Sequence, residues 1–310
     1  MKKARAVVMA AALLVAGCGG GDEEATWEHA SSLGHGRAAH AVVTDGTDVW
    51  ALGGTGASGE PVLDVERLSG GSWQDVATLP GEGLNAPAAV YLDGRIYLIG
   101  GFGTTTNIAT DAVHVYDVAT GGWSEAAPLP EARGGHAAVV LDGKIHVLGG
   151  GNSVSTLDLH SVYDPASDTW REAAPLPRAK GSPAAVVHEG KLWAIGGRSG
   201  LDDFGDVDVY DPATDEWTSG PAIPPRGTHG AVVRDGTILV IGGESQARGK
   251  ALADVLRLED GEWTPAAPLP EPRAFARAVA TDGAVLVVGG SAEAGSSHAS
   301  EGSDSVFRLP

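Results

Sequence analysis

Residues 191–217, KLWAIGGRSGLDDFGDVDVYDPATDEW, decide the fold of this chain. They begin with an alternating apolar run over Lys191–Ile195, which ends at the glycine pair Gly196-Gly197. A second alternating run over Val207–Tyr210 leads to an Asp-Pro turn and then to Trp217. Alternation with a period of two predicts strands with one buried face, and tight turns between such runs predict hairpins. The stretch therefore predicts short antiparallel strands.

The same pattern repeats along the 310 residues. Glycine pairs recur at intervals of 46 to 49 residues, at Gly53-Gly54, Gly100-Gly101, Gly149-Gly150, Gly196-Gly197, Gly242-Gly243 and Gly289-Gly290. Tryptophans that open a fourth short strand follow the same period, at Trp27, Trp73, Trp123, Trp170, Trp217 and Trp263. A fixed period of this length marks a repeat architecture, and four antiparallel strands per repeat predict the blade of a β-propeller.

The two ends of the pattern predict how the ring closes. The last glycine pair is followed by a third strand over residues 305–309 but by no tryptophan. Trp27 precedes the first glycine pair by 26 residues, which matches the spacing in the other repeats. We therefore expect the segment around Trp27 to supply the outer strand of the last blade, giving six blades and no open half-blade.

The glycine pair, the tyrosine of the third strand and the tryptophan together resemble the kelch repeat, from Trp27 to Leu309. The resemblance implies an all-β, six-bladed kelch-type propeller over residues 26–310. It also implies that a ligand would bind on the face made by loops that leave the second strand and loops that enter the first. By register, the candidate ligand-binding residues on or near this face are Phe102, Asn152, Lys180, Ser182, Arg198, Thr228 and Glu244.

The N-terminus predicts export. Residues 1–17 combine a basic start with an apolar run over 6–16, which is too short to span a bilayer and typical of a signal peptide. The run ends at Val15-Ala16-Gly17-Cys18, which resembles the bacterial lipobox and implies cleavage before Cys18 and lipidation of its thiol. Residues 18–25 would then tether the domain to the cell envelope, and glycine after the cysteine is compatible with the outer membrane. The alternative is an ordinary secretory peptide that leaves a free thiol.

Charge and cysteine content exclude several classes of function. The formal net charge of −19 repels phosphate backbones, which argues against a nucleic-acid partner. One cysteine allows neither an internal disulfide nor a cysteine-rich zinc site. We expect a monomer without a cofactor.

Three repeated or clustered features have two interpretations each. Cations lie sixteen residues before five glycine pairs, at Arg37, Arg133, Lys180, Arg226 and Arg273. They would either focus an anionic ligand towards the channel or, as we favour, pair with aspartates that begin the third strands: Asp64, Asp111, Asp158, Asp206, Asp254 and Asp304. His40, His136 and His229 share one register and would either bind a metal or only pack. The acidic segment 202–208 would either bind calcium or, as we favour because the spacing of a calcium loop is missing, form a solvated loop.

The resulting functional prediction is a non-catalytic envelope module that binds a protein, a peptide or a glycan. The alternative is a carbohydrate-active propeller enzyme resembling a sialic-acid mutarotase, with Glu244 and Arg198 as its acid–base pair. A copper-radical galactose oxidase is disfavoured, because that chemistry needs a Cys–Tyr crosslink and the lipobox would consume Cys18.

Overall fold

A computed structural model of the protein describes residues 25–275, 277–295 and 302–310. The predicted signal peptide and Cys18 lie outside these residues, so their assignments stay predictions. The described ranges contain thirty strands and one 3-10 helix, η1 (Gln246–Arg248). None of the helical structure in these ranges is long and apolar enough to cross a membrane.

Twenty-four of the strands form six four-stranded antiparallel sheets, which we number as blades in chain order. The first strand of the chain, β1 (Glu28–His29), belongs to blade six. Blade one contains β2 (Ala41–Thr44), β3 (Val49–Leu52), β4 (Asp64–Ser69) and β5 (Ser72–Thr78). The short β6 (Leu84–Asn85) precedes blade two, which contains β7 (Ala88–Leu92), β8 (Arg95–Ile99), β10 (Val113–Asp117) and β11 (Gly122–Glu125), and β6 pairs with β9 (Phe102–Gly103).

The remaining blades repeat this order. Blade three contains β12 (Ala137–Leu141), β13 (Lys144–Leu148), β14 (His160–Asp164) and β15 (Thr169–Glu172). Blade four contains β16 (Ala184–His188), β17 (Lys191–Ile195), β20 (Val207–Asp211) and β21 (Glu216–Ser219), with a small ladder of β18 (Arg198–Ser199) and β19 (Asp202–Asp203). Blade five contains β22 (Gly230–Arg234), β23 (Thr237–Ile241), β26 (Val255–Glu259) and β27 (Glu262–Ala266), with a ladder of β24 (Glu244–Ser245) and β25 (Lys250–Ala251). Blade six contains β28 (Arg277–Ala280), β29 (Val285–Val288), β30 (Val306–Leu309) and β1.

The first strands of the six blades form a closed circle. Each first strand neighbours the first strand of the next blade, and β28 of blade six returns to β2 of blade one. This arrangement is a six-bladed β-propeller around a central channel, as the repeat count predicts.

The closure of the ring also follows the prediction. Strand β1 pairs with β30, with Glu28 opposite Arg308 and His29 opposite Phe307. Trp27 packs in the same hydrophobic cluster as Phe307, and its indole Nε1 donates a hydrogen bond of 2.9 Å to the carbonyl of Ala267 in blade five. The N-terminal strand therefore completes the last blade.

The tryptophans join neighbouring blades. Trp170, Trp217 and Trp263 each donate an indole hydrogen bond to a carbonyl of the preceding blade, at Ala127, Ala174 and Pro221. A large ring that buries apolar area while its N–H finds an acceptor suits a boundary between two sheets. The exception is Trp123, whose buried Nε1 has no hydrogen-bond partner among the described residues.

The glycine pairs stand where two blades meet. Gly100 and Gly101 have φ of 54° and 108°, in a region that L side chains disfavour. A Cβ at Gly100 would lie 2.4 Å from the carbonyl oxygen of Arg133 and 2.9 Å from the His136 ring. Glycine is required here by both backbone conformation and space.

Candidate functional site

The two sets of loops that the repeat register predicted to form the binding face do lie side by side. In each blade, the residue fifteen positions before the first glycine of the pair forms a β-bridge with the residue two positions after that glycine. The six bridges are Ala38–Thr55, Asn85–Phe102, Gly134–Gly151, Gly181–Arg198, Gly227–Glu244 and Ala274–Ser291. We call this side of the propeller the loop face.

A ring of backbone at the channel mouth was not predicted. The residues fourteen positions before the glycine pairs form this mouth ring: Ala39, Ala86, Gly135, Ser182, Thr228 and Phe275. All six have φ between 49° and 62°, although only one is glycine. Four backbone hydrogen bonds of 2.6–3.3 Å join consecutive members, from Ala86 N–H to Ala39 O, Gly135 to Ala86, Ser182 to Gly135, and Thr228 to Ser182.

The left-handed conformation of the mouth ring is costly for residues with a Cβ, and it is worst for a β-branched one such as Thr228. Strained backbone persists where the surrounding structure enforces it, and it clusters at functional sites. Here the four hydrogen bonds from blade to blade hold the backbone of consecutive members in place at the centre of the loop face.

A shallow groove beside the mouth ring is lined mainly by backbone. It encloses about 120 Å³ and crosses the loop face over blades two to four. Its lining consists of six glycines and four other residues, namely Gly134, Gly135, Gly150, Gly151, Gly181, Gly200, Phe102, Thr156, Ser182 and Arg198. We call it the glycine groove. It offers peptide groups for hydrogen bonding, one aromatic ring and one guanidinium.

Three of the seven candidate ligand-binding residues line the glycine groove, namely Phe102, Ser182 and Arg198. The other four are placed elsewhere, for reasons that the structure makes clear. Asn152 stabilises its own turn, because its Oδ1 accepts hydrogen bonds of 2.8 Å from the backbone N–H groups of Val154 and Ser155. Thr228 is buried in the mouth ring.

Lys180 is also buried and does not reach the groove. Its Nζ lies 2.7 Å from the carboxylate of Asp208, and its side chain is fully shielded from solvent. A lysine in this state stabilises the blade and cannot contact a ligand on the loop face without leaving its partner.

Glu244 and Arg198 are brought together as an ion pair across blades four and five. Glu244 is fully buried, and its second oxygen accepts a hydrogen bond of 3.0 Å from the Gly295 backbone. Burial raises the pKa of Glu244, and the charge of Arg198 opposes that shift. Because both carboxylate oxygens have protein partners, Glu244 is arranged to hold Arg198 at the groove rather than to exchange a proton with a substrate.

The five repeated cations are buried, and four of them pair with a carboxylate, but only one has the predicted partner. Arg226 contacts Asp254 at 2.5 Å, as proposed for all five. Arg37 and Lys180 instead pair with Glu66 and Asp208, the acids two residues after Asp64 and Asp206. That part of the prediction was wrong because residues two apart in a strand share a face, so either acid is within reach.

The two remaining cations have no strand acid at all among the described residues. Arg133 bonds to the Ser161 hydroxyl and the Leu159 carbonyl, and burial lowers its pKa to about 10. Arg273 pairs with Glu271 and stacks 4.8 Å from the centre of the Phe307 ring. The cations are therefore part of the blade structure and are not presented to a ligand on the loop face.

The three histidines of one register pack between blades. The Cβ of His136 lies against Gly150 of its own blade, and its ring lies against Gly100 of the preceding blade. Burial lowers the pKa of His136 and of His229 to about 3, and nearby cations add to the shift. Among the described residues these histidines belong to no group that could hold a metal ion.

The acidic segment 202–208 is only partly a loop, because it contains the strand β19, an irregular stretch over 204–206 and the start of β20. Asp203 accepts a hydrogen bond of 2.6 Å from the Gln246 N–H, and Asp206 and Asp208 pair with Arg178 and Lys180. The one group in the described ranges with metal-ligand spacing is elsewhere, at His35, Asp64 and Asp75, and all three side chains are substantially exposed. Exposed groups of this kind are common without an ion.

Comparisons with known proteins agree with this architecture. Residues 87–290, about two thirds of the chain, match the KLHDC2/KLHL20/DRC7 Kelch-repeats domain. The solved structure of YjhT superposes with a TM-score of 0.77 over 89% of this chain and 95% of YjhT, at 18% sequence identity, a level that supports the fold alone.

Curated relatives match over a shorter stretch. A segment of 116 residues is 32% identical to Kelch-like protein 36 of Bos taurus and 31% identical to Kelch-like protein 36 of Mus musculus. The segment covers 35% of this chain, and the chain spans about a fifth of the length of these relatives. With its repeat pattern, its six blades and the match over most of its length, the chain belongs to the kelch-repeat family of β-propellers.

Proposed function

We propose that the propeller is a non-catalytic binding module and that its ligand, a peptide segment of a protein or a glycan, lies in the glycine groove. The observation that carries the proposal is the groove itself, where backbone, Phe102 and Arg198 converge on a face with little side-chain cover. Extended peptides and sugars both use such surfaces, because exposed peptide groups supply hydrogen bonds and an aromatic ring supplies apolar contact.

The state of Glu244 favours binding over catalysis. An acid–base catalyst must lie within hydrogen-bond reach of the proton that it moves. Glu244 is fully buried and its oxygens contact Arg198 and Gly295. A mutarotase-like reaction would need this pair to separate, whereas a binding role needs it to stay as it is.

Filling the groove tests the proposal. Gly181 lies in the groove with an ordinary backbone conformation, and an added Cβ would be 3.6 Å from its nearest neighbour. Gly181→Val should therefore fold normally and occlude the ligand. Gly122→Val, on the outer strand of blade two, is the matched control because it adds the same side chain far from the groove.

The measurement is binding of the full chain to arrays of peptides and glycans, including sialic acid. We expect Gly181→Val to weaken binding of any array ligand about tenfold or more, and Gly122→Val to leave binding unchanged. Equal binding by the two variants would place the ligand outside the groove. Turnover of a sialic-acid anomer by the wild type would instead support the enzyme alternative.

We further propose that the propeller is tethered to the bacterial cell envelope through a lipid on Cys18, with the outer membrane as its site. The support is the signal-like segment 1–17 followed by the lipobox-like residues 15–18. Replacing Cys18 with Ser should move the protein from the membrane fraction to the soluble fraction and remove a lipid-sized mass from its N-terminal peptide. An unmodified Cys18 thiol in the wild-type protein would contradict the proposal.

A further inference from the structure

The central channel is lined by small residues at every blade but one. Twelve positions before each glycine pair, where the first strands begin, the six residues are Ala41, Ala88, Ala137, Ala184, Gly230 and Arg277. They line a cavity of about 110 Å³, which also reaches two of the histidines found one residue earlier in the repeat. Arg277 thus breaks the sixfold pattern with the largest side chain at that position.

The guanidinium of Arg277 has no carboxylate partner among the described residues. Its Nε donates a hydrogen bond of 3.0 Å to the carbonyl of His40 in blade one. An arginine has five N–H donors, so most of its donors remain available towards the cavity. Four of the five repeated cations differ in this respect, because each pairs with a carboxylate. Arg133 also lacks a carboxylate partner among the described residues, but its guanidinium bonds to the Ser161 hydroxyl and the Leu159 carbonyl.

No acidic side chain of the described residues offsets the charge of Arg277. Its charge acts on three buried histidines, His40, His136 and His229, and helps to lower their pKa values. Neither ring nitrogen of these histidines has a well-formed hydrogen bond to a described residue. Burial lowers the pKa of Arg277 itself to about 10, with no acid to oppose the shift. The channel is therefore a positively charged interior within a chain whose net charge is −19.

A second departure from the repeat lies two residues before Arg277 in the chain. In the mouth ring, blade six contributes Phe275 where the other blades have small residues. Phe275 is buried in one cluster with Ala39 and Ala86, which are the next two members of the mouth ring, in blades one and two. The cavity that Arg277 lines is small, and at about 30 Å³ per water molecule it has room for three or four waters or one small anion.

We propose that Arg277 makes the central channel a binding site for one small carboxylate, of the size of formate or acetate. A planar guanidinium with free donors matches a carboxylate in two parallel hydrogen bonds. Arg277 is half-buried in the channel wall, so its charge is partly removed from water, and a bound anion offsets that desolvation. The site is separate from the glycine groove, so it does not depend on the function proposed for that groove.

The test compares binding of acetate by the wild-type chain and by Arg277→Ala. Alanine is the residue that blades one to four carry at this position, so the variant is expected to fold. Arg248→Ala, which removes an exposed arginine of η1, is the control for loss of charge. Binding is measured by calorimetry and by the rise in melting temperature in sodium acetate relative to sodium chloride at equal ionic strength.

We expect acetate to stabilise the wild type and Arg248→Ala equally, and to bind Arg277→Ala about tenfold more weakly or not at all. Arg277→Lys should bind with intermediate affinity, because an ammonium keeps the charge but not the planar fork. The same acetate response in Arg277→Ala as in the wild type would overturn the proposal, and so would no acetate binding by the wild type. Tighter binding of phosphate than of acetate would overturn the assignment to a carboxylate.

Discussion

At the scale of single residues, the mouth ring contains backbone conformations that its residues do not favour on their own. Ser182, Thr228 and Phe275 all have left-handed backbone, although none is a residue that favours it. For Ser182 and Thr228 the reason is external to the residue, since the N–H of each donates to the carbonyl of the preceding member of the ring. This arrangement could not be predicted from the sequence, because left-handed positions are normally read from Gly, Asn or Asp.

Thr228 provides a direct test of this strain. Its φ is 56°, and its hydroxyl is buried without a hydrogen-bond partner among the described residues. Thr228→Gly removes the conformational strain and the unbonded hydroxyl, at the cost of one buried methyl group and added chain entropy. We expect a net gain of about 1 kcal/mol in the free energy of unfolding, measured by chemical denaturation.

The equivalent position of blade three supplies the control. Gly135 has the same conformation, so Gly135→Thr should lower the free energy of unfolding by about 1–2 kcal/mol. A less stable Thr228→Gly variant would mean that packing of the threonine outweighs its strain.

At the scale of the blades, the histidines make the interfaces sensitive to acid. The pKa values of His136 and His229 are about 3, against an ordinary value of 6.5. Because the unfolded chain binds these protons more readily, stability is complete above pH 6.5 and falls as the pH decreases towards 3. Each of these two histidines should lower the free energy of unfolding by about 2 kcal/mol when the pH falls from 7 to 5.

His136→Pro isolates this contribution, since blades two and four carry Pro87 and Pro183 at the same position. Between pH 7 and pH 5, the free energy of unfolding of the variant should fall by about 2 kcal/mol less than that of the wild type. Denaturant titration at both pH values measures the difference. Aspartates with lowered pKa values titrate below this range and do not interfere. Parallel pH profiles would show that His136 is protonated in the folded blade.

At the scale of the whole molecule, periodicity explains why the fold was predictable. The spacing of the glycine pairs and tryptophans predicts six blades, and the position of Trp27 predicts their closure, because both depend only on counting along the chain. The binding site was predicted less well. The groove exists because Gly134, Gly151 and Gly181 have no side chains to cover the backbone. The repeat pattern does not require glycine at these positions.

Departures from the repeat were equally hard to interpret in advance. Arg277 occupies an ordinary strand position, and only the closed circle of first strands shows that it faces a shared interior. A comparison of all six blades at each register would have singled it out, together with Phe275. In a repeat protein the residue that breaks the pattern is therefore as informative as the pattern.

The closure of blade six also determines when the propeller can be finished. Glu28 on β1 and Arg308 on β30, which contact each other at 2.7 Å, are separated by 280 positions in the chain. At about 5–20 residues per second, a ribosome takes roughly a quarter of a minute to one minute to cover that distance. The first strand of the described residues, β1, is thus the last to find its partner, and until then Trp27 lacks the Phe307 ring with which it packs.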